Sequence, residues 1–224
     1  MTLDNDVLKA IQNRHSKRAF LPKPVPKEWI EKVLTTAAQA PSSKNTQPWQ
    51  VAIVQGGKQA DLSRLMCAKF DQGEAEDPDY TDTPEPWPEG FKDRARACGY
   101  GLFELKGIER RDFEARKAHN RENLTFFEAP LSLIFHLPAG SERGQFLDMG
   151  FYMQNVMLGF LSLGIGSCPQ YSLTSYSKTI REFLNLEGRW IVSGLALGFP
   201  DPDAPVNTYI PERLTLDKYT QWFE

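Results

Sequence analysis

The chain has 224 residues, of which 41% are hydrophobic and 12% aromatic, and 26 Lys+Arg against 29 Asp+Glu leave a formal net charge of −3. Such a chain is too apolar to be intrinsically disordered and too evenly charged to be built around nucleic acid. Its length suits one large domain or at most two small ones, and a chain of this size buries roughly 70–75% of its unfolded surface without needing staples.

The first predicted helix covers residues 4–13, with Val7, Leu8 and Ile11 on one face and Asp4 or Asn5 as its cap. It runs into a basic segment, Arg14-His15-Ser16-Lys17-Arg18. Pro22-Lys23-Pro24-Val25-Pro26 excludes a helix and reads as an extended linker. A second helix, over 27–40, spaces Trp29, Ile30, Val33, Leu34 and Ala37 for burial. A polar, turn-forming run over 41–48 leads to a strand at 49–54, closed by Gly56-Gly57, and then to a helix at about 59–69. Composition shifts over 71–89, which carries eight acidic residues, four prolines and no Lys or Arg. That predicts an extended surface loop, either a mobile lid or an inert solvated segment. Residues 91–123 are charged, amphipathic and predicted helical. A buried strand at 131–137 follows Pro130, the longest apolar helix is placed at 145–163, and a second buried strand at 189–197. The tail, 198–224, carries prolines and ends in aromatic residues. Helices alternating with few strands point to the α+β class.

Cys67, Cys98 and Cys168 are odd in number and widely spaced, which argues against a disulfide framework or a zinc site. Residues 1–5 show neither a basic nor an apolar leader pattern, so a cytoplasmic location is expected. Residues 149–177 lack charge, but Gln154, Asn155, Gly159, Gly164, Gly166 and Pro169 interrupt them. They read as a buried helix followed by a loop, not as a membrane span. No nucleophile elbow, H-E-x-x-H, EF-hand loop or P-loop is present. Gly164-Ile165-Gly166 is only a fragment of the dinucleotide fingerprint, and it follows a helix.

Three segments carry candidate chemistry. The basic segment at 14–18 offers three cations and a hydroxyl to one phosphate, because arginine forks onto its oxygens. The alternative is a solvated charge run at a helix end, and composition alone favours it. The second segment, Pro41-Ser42-Ser43-Lys44-Asn45-Thr46-Gln47-Pro48-Trp49, sets hydroxyls and amides on a stiffened loop. It reads equally as a donor-bearing loop for a flat heteroaromatic ring or as an ordinary capped turn. The third, Gly164-Ile165-Gly166-Ser167-Cys168-Pro169-Gln170, lets backbone approach a ligand closely.

Together, R-H-S-x-R-x-F near the N-terminus and A-P-S-S-x-N-x-Q-P-W some twenty residues later resemble the FMN-dependent nitroreductase family. Phe127-Glu128-Ala129-Pro130, Asp148-Met149-Gly150, Gln154-Asn155, Gly198-Phe199-Pro200-Asp201 and a late Arg213 extend the resemblance over nearly the whole chain. A long insertion at about 70–121 and the Cys168-Pro169-Gln170 turn resemble the nitrobenzene and nitroarene reductase branch.

The resemblance implies an α+β fold with a central, mostly antiparallel sheet flanked by helices, one FMN-binding domain over 1–224, and an intertwined homodimer. It implies that Arg14, Ser16 and Arg213 hold the FMN phosphate, with His15 contributing its backbone. Arg18 matches a basic position near the flavin N1–C2 carbonyl edge, where a cation stabilises the reduced, anionic form. Pro41, Ser42, Ser43 and Asn45 are expected at FMN bound mainly to the other subunit. Pro169 and Gln170 fall where the family sets a backbone N–H near flavin N5, and Asn123 at the ring's polar edge. The family also has a Lys shortly before the late Arg; this chain has Pro211 or Glu212 there, and Lys17 is the candidate substitute. The implied chemistry is ping-pong: NADH or NADPH passes hydride to N5 and leaves, and a nitroarene or quinone takes its place. Relatives of the same fold dehalogenate aromatics, reduce activated alkenes or destroy flavin, and a non-catalytic flavin-binding sensor is the alternative from another class. No nucleic-acid or membrane partner is expected. His136, the Met149/Met153/Met157 stripe and Phe126-Phe127 read as core, and His119 needs no catalytic role.

Overall fold

The computed structural model describes residues 6–74, 76–81 and 83–224. Its centre is a four-stranded sheet of β1 (Gln50–Gln55), β2 (Leu131–Pro138), β3 (Gly166–Gln170) and β4 (Arg189–Gly198), in the order β1-β2-β4-β3 with every pair antiparallel. The helices are α1 (Asp6–Asn13), α2 (Lys27–Ala37), α3 (Gly56–Gln72), α4 (Phe91–Leu105), α5 (Phe113–Arg121), α6 (Arg143–Leu161) and α7 (Ser177–Leu184).

The near-continuous apolar run of β2 follows from burial on both faces. Leu131, Leu133, Phe135 and Leu137 face one core with α2 and α6, while Ile134 faces the other with Leu62 and Met66 of α3 and Ile180 of α7. The strand is thus the middle layer of a helix–sheet–helix sandwich. Met149, Met153 and Met157 lie in the first core, and Phe126 and Phe127 in the second. Gly194 of β4 lets the turn after β3 come down on the sheet, since a Cβ there would meet Leu173 Cδ1 at 2.1 Å.

Several boundaries differ from the expectations. The cap expected at Asp4 or Asn5 lies outside the described residues. α2 stops at Ala37, three residues early, because residues 38–40 turn the chain before Pro41. Gly56-Gly57 does not close β1 but opens α3, with Gly56 at φ 59° making the turn. The helix expected over 91–123 is two helices. Gly107 at φ 65° breaks it, and Asp112 restarts it by accepting from the Ala115 N–H at 2.9 Å. α6 begins at Arg143 because Glu142 and Gln145 form a capping box.

Two elements were not anticipated. Gly166–Gln170, read as a turn, is edge strand β3, where Pro169 is tolerated because an edge position does not require its missing N–H. α7 is a short helix whose Ile180 faces the second core. The acidic segment is fastened rather than free. Asp79 pairs with Arg181 and accepts from the Ile191 N–H at 2.8 Å, and the Tyr80 hydroxyl donates to the Val192 carbonyl at 2.6 Å. Among the described residues, no helix is long and apolar enough to cross a membrane.

Candidate functional site

The basic segment leaves α1 and lies along the outer edge of β3. Ser16 bridges Ser167 in parallel, and the Lys17 N–H donates to the Ser167 carbonyl at 2.9 Å. Gly166 makes this approach possible, since a Cβ there would meet Lys17 Cγ at 2.8 Å and Pro200 Cγ at 2.6 Å. Asn207 locks the segment to the tail. Its Oδ1 accepts from the Arg18 and Ala19 N–H groups at 2.8 and 3.2 Å, and its Nδ2 donates to the Ala19 and Asp201 carbonyls at 2.8 and 2.9 Å. Asn207 had no sequence signal, because its partners lie almost 190 residues away. Lys17 does not point outward: its Nζ donates to the Asn207 carbonyl at 2.7 Å, and burial lowers its pKa.

The side chains of this segment converge with the tail. Burial lowers the pKa of Arg14, and the neighbouring Arg213 guanidinium lowers it further. Burial also lowers that of His15, with Lys17, Arg14 and Arg213 adding to the effect. Among the described residues no carboxylate pairs with Arg14, Arg18 or Arg213. Arg213 instead donates to the Pro211 and Glu212 carbonyls at 2.9 and 3.2 Å. Like charges gathered without a counter-charge repel one another, and an anion between them relieves that repulsion. The donor set of forks, hydroxyl and backbone N–H groups suits a phosphate.

Along β3, the buried Cys168 thiol is raised in pKa by burial, opposed by the nearby Arg18 and Arg14 charges and by the Ser16 hydroxyl. The Arg18 charge also acts on His119 and Tyr209, so it is shared between β3 and its surroundings. At the far end, Gln170 Nε2 donates to the Asn123 carbonyl at 2.7 Å, and Gln170 Oε1 is buried with no partner. The Asn123 amide turns back to the Asn120 carbonyl at 3.2 Å, so its backbone rather than its side chain meets β3. Ser16 and Lys17 thus lie beside Ser167 near one end of β3, and Gln170 meets Asn123 at the other.

The loop at 41–45 stands apart. Ser43 donates its N–H to the buried Asp148 carboxylate of α6 at 3.3 Å, and the Ser42 hydroxyl accepts from the Gln47 N–H at 3.0 Å. Lys44, Asn45 and Gln47 all hold positive φ, at 51°, 58° and 47°. Three such residues in four positions store strain at an exposed loop. Among the described residues no hydrogen bond joins this loop to the basic segment of the same chain.

Comparison with known proteins gives the family and the fold. The model of the nitroreductase family matches residues 11–199. The 4-nitrobenzoate reductase of Pseudomonas putida is 32% identical over 221 residues, 98% of this chain and 96% of the relative. The chloronitrobenzene nitroreductase of Comamonas testosteroni is 32% identical over 213 residues, 94% of this chain and 93% of the relative. Among solved structures, the FMN-dependent nitroreductase NfnB from Mycobacterium smegmatis in complex with NADPH superposes with a TM-score of 0.94 at 31% identity, over 99% of this chain and all of the other.

Proposed function

The chain belongs to the nitroreductase family, and from that premise we propose that it is an FMN-dependent NAD(P)H oxidoreductase that reduces nitroaromatic compounds, and quinones, as a homodimer. The observation that carries the reading is the gathering of Arg14, His15, Lys17 and Arg213 at one edge of β3 with no counter-carboxylate among the described residues. Arg14 and Arg213 bind the phosphate of FMN, helped by the Ser16 hydroxyl and the His15 backbone. Lys17 adds charge from the tail side, in place of the lysine that Pro211 or Glu212 replaces. Arg18 holds a fixed positive charge beside the carbonyl edge of the ring. Pro169 and Gln170 present β3 backbone to its middle, and Asn123 holds Gln170 in place. Pro41, Ser42, Ser43 and Asn45 reach FMN bound mainly to the other subunit, from a loop in which Lys44, Asn45 and Gln47 hold positive φ. Bound there, FMN supplies a two-electron carrier between NAD(P)H and the nitro group.

The chain works as one domain over 1–224, with the insertion at about 70–121 closing over the site. The free thiols of Cys67, Cys98 and Cys168 suit a reducing compartment such as the cytoplasm. A direct test is the visible spectrum and solution mass of the purified protein, followed by anaerobic titration with NADH and NADPH. The expected result is a yellow dimer that either nicotinamide bleaches and a nitroarene recolours. A colourless monomer that added FMN does not turn yellow would sink the reading. A panel holding a nitroarene, a quinone and a halotyrosine separates nitro reduction from dehalogenation.

A further inference from the structure

The stretch of tail that carries Arg213 meets the insertion through one close contact. Asn207 fixes the tail to the basic segment, and Arg213 lies further along. Between them the chain has little else to hold it. Among the described residues, residues 209–214 make no backbone hydrogen bond to another element. They face α4 across a cavity of about 390 Å³, walled by Arg94, Ala97 and Cys98 on the helix and by Glu212 and Arg213 on the tail. Tyr209 closes this gap. Its hydroxyl donates to the Ala97 carbonyl at 3.5 Å, and burial and the neighbouring Cys98 thiol raise its pKa. Its ring occupies the place of a side chain on Gly101, where a Cβ would meet Tyr209 Cε2 at 2.4 Å and Cζ at 2.9 Å.

Nothing local asks for glycine at position 101. It lies inside α4 without a positive φ, and alanine is the better helix former there. Gly99 of the same helix has open space where its Cβ would be. Gly101 is therefore explained by the ring that sits on it. The Arg213 Nη1 donates to the Pro211 and Glu212 carbonyls, so the guanidinium goes where this stretch of tail goes, and its other N–H groups stay available. Resting on the phosphate reading above, we propose that Tyr209, seated on Gly101, is a positioning residue for Arg213. It sets the distance of the tail from α4 and so aims the guanidinium at the FMN phosphate. The ring does this rather than the hydroxyl, because the bond to Ala97 is too long to contribute much. The insertion then helps to retain the cofactor through a residue that never touches it.

Riboflavin is FMN without the phosphate, so the ratio of their dissociation constants reads the phosphate clamp and nothing else. Fluorescence titration of the flavin-free protein with each measures it. Gly101→Ala is expected to cut the preference for FMN by about tenfold, the loss of one charge-assisted bond, while riboflavin binds as before. Tyr209→Ala is expected to do the same, and it decides the matter if Gly101→Ala yields no folded protein. Tyr209→Phe keeps the ring and Gly99→Ala meets no neighbour, so both are expected to keep the preference. In G101A/Y209A the two changes act on one contact, and the loss is expected to match that of Tyr209→Ala alone. A Gly101→Ala or Tyr209→Ala protein with the unaltered preference overturns the inference, as does one that weakens both flavins equally. Arg213→Ala separates the two readings. If it abolishes the preference while the Gly101 and Tyr209 variants do not, only this inference falls. If it leaves the preference intact, Arg213 does not hold the phosphate and both fall.

Discussion

Arg14 and Arg213 are the residues on which the phosphate reading turns, and the Arg213 charge acts on Arg14 to lower its pKa beyond the effect of burial. Hydrogen bonds from charged groups contribute about 1.5–3 kcal/mol. Removing either guanidinium is therefore expected to weaken FMN binding by about 10- to 100-fold. Fluorescence titration of apoprotein from Arg14→Ala and Arg213→Ala with FMN checks this, and unchanged affinity removes that residue from the site. A different residue sets the response of the fold to pH. Burial pushes the pKa of His136 down to about 4, with Arg189 adding to the effect, and its Nδ1 is buried without a partner. An unfolded histidine titrates near 6.5, so between about pH 6.5 and 4 the unfolded chain binds a proton that the native chain does not. This contribution is intact above pH 6.5 and is lost as the pH falls through that window, by up to about 3 kcal/mol. His15 and His119 are shifted in the same direction by burial and add to the slope. Urea unfolding at pH 7 and pH 5 is expected to show the loss, and His136→Leu to flatten it.

At the scale of elements, the acidic segment illustrates what composition alone misjudges. Its charge and prolines predict a solvated loop, yet Asp79 is buried against Arg181 and the Ile191 N–H. Removing one partner of a largely buried pair leaves the other charge unpaired, which costs about 3–5 kcal/mol in comparable cases. Arg181 keeps some exposure, so Asp79→Ala is expected at or below the lower end, about 2–3 kcal/mol. Asp79→Asn, which keeps an acceptor for Ile191, is expected to cost less; denaturant midpoints of the two variants decide it. The segment's partners lie about a hundred residues away, in α7 and β4, and no local pattern announces such a contact. The same holds for Asn207, which ties the basic segment to the tail across almost 190 residues. By contrast, β2 and α6 were legible because burial writes itself into a run of apolar residues. β3 was not, since Gly166, Ser167 and Pro169 lack β propensity and only the pairing with β4 makes them a strand. At 14–18 and 41–45 composition alone left a solvated charge run and an ordinary turn standing beside a ligand site, and only the resemblance to the family singled these segments out. Their relation to one another came only from that resemblance, which sets them on opposite subunits, and among the described residues no hydrogen bond joins them within one chain.

That separation is a statement about the whole molecule. α1 has no buried residue, and Val7, Leu8 and Ile11 expose their apolar face. On α6, Leu147 and Phe151 are exposed, and at the end of the tail Trp222 and Phe223 are 82% and 89% exposed. Exposed apolar residues on α1, on α6 and at the tail are the kind of surface that interaction sites use. In the homodimer proposed above, a second copy of the chain is the partner, and it would bring its 41–45 loop to a basic segment with which that loop shares no hydrogen bond among the described residues of one chain. On that proposal assembly and cofactor binding would be linked: FMN would bind a site that only the dimer completes, so each would stabilise the other. The expected solution mass is twice 25.5 kDa. Placing charge on the exposed face with V7D/I11E is expected to yield monomer by light scattering and, in the same preparation, to lower FMN content at least tenfold. Val7 and Ile11 are exposed and are not among the residues assigned to FMN, and far-UV dichroism of the variant checks that α1, to which the Arg14 N–H is bonded through the Ala10 carbonyl, is intact. A V7D/I11E monomer that keeps its full yellow colour would show that one chain suffices and would detach the 41–45 loop from the cofactor.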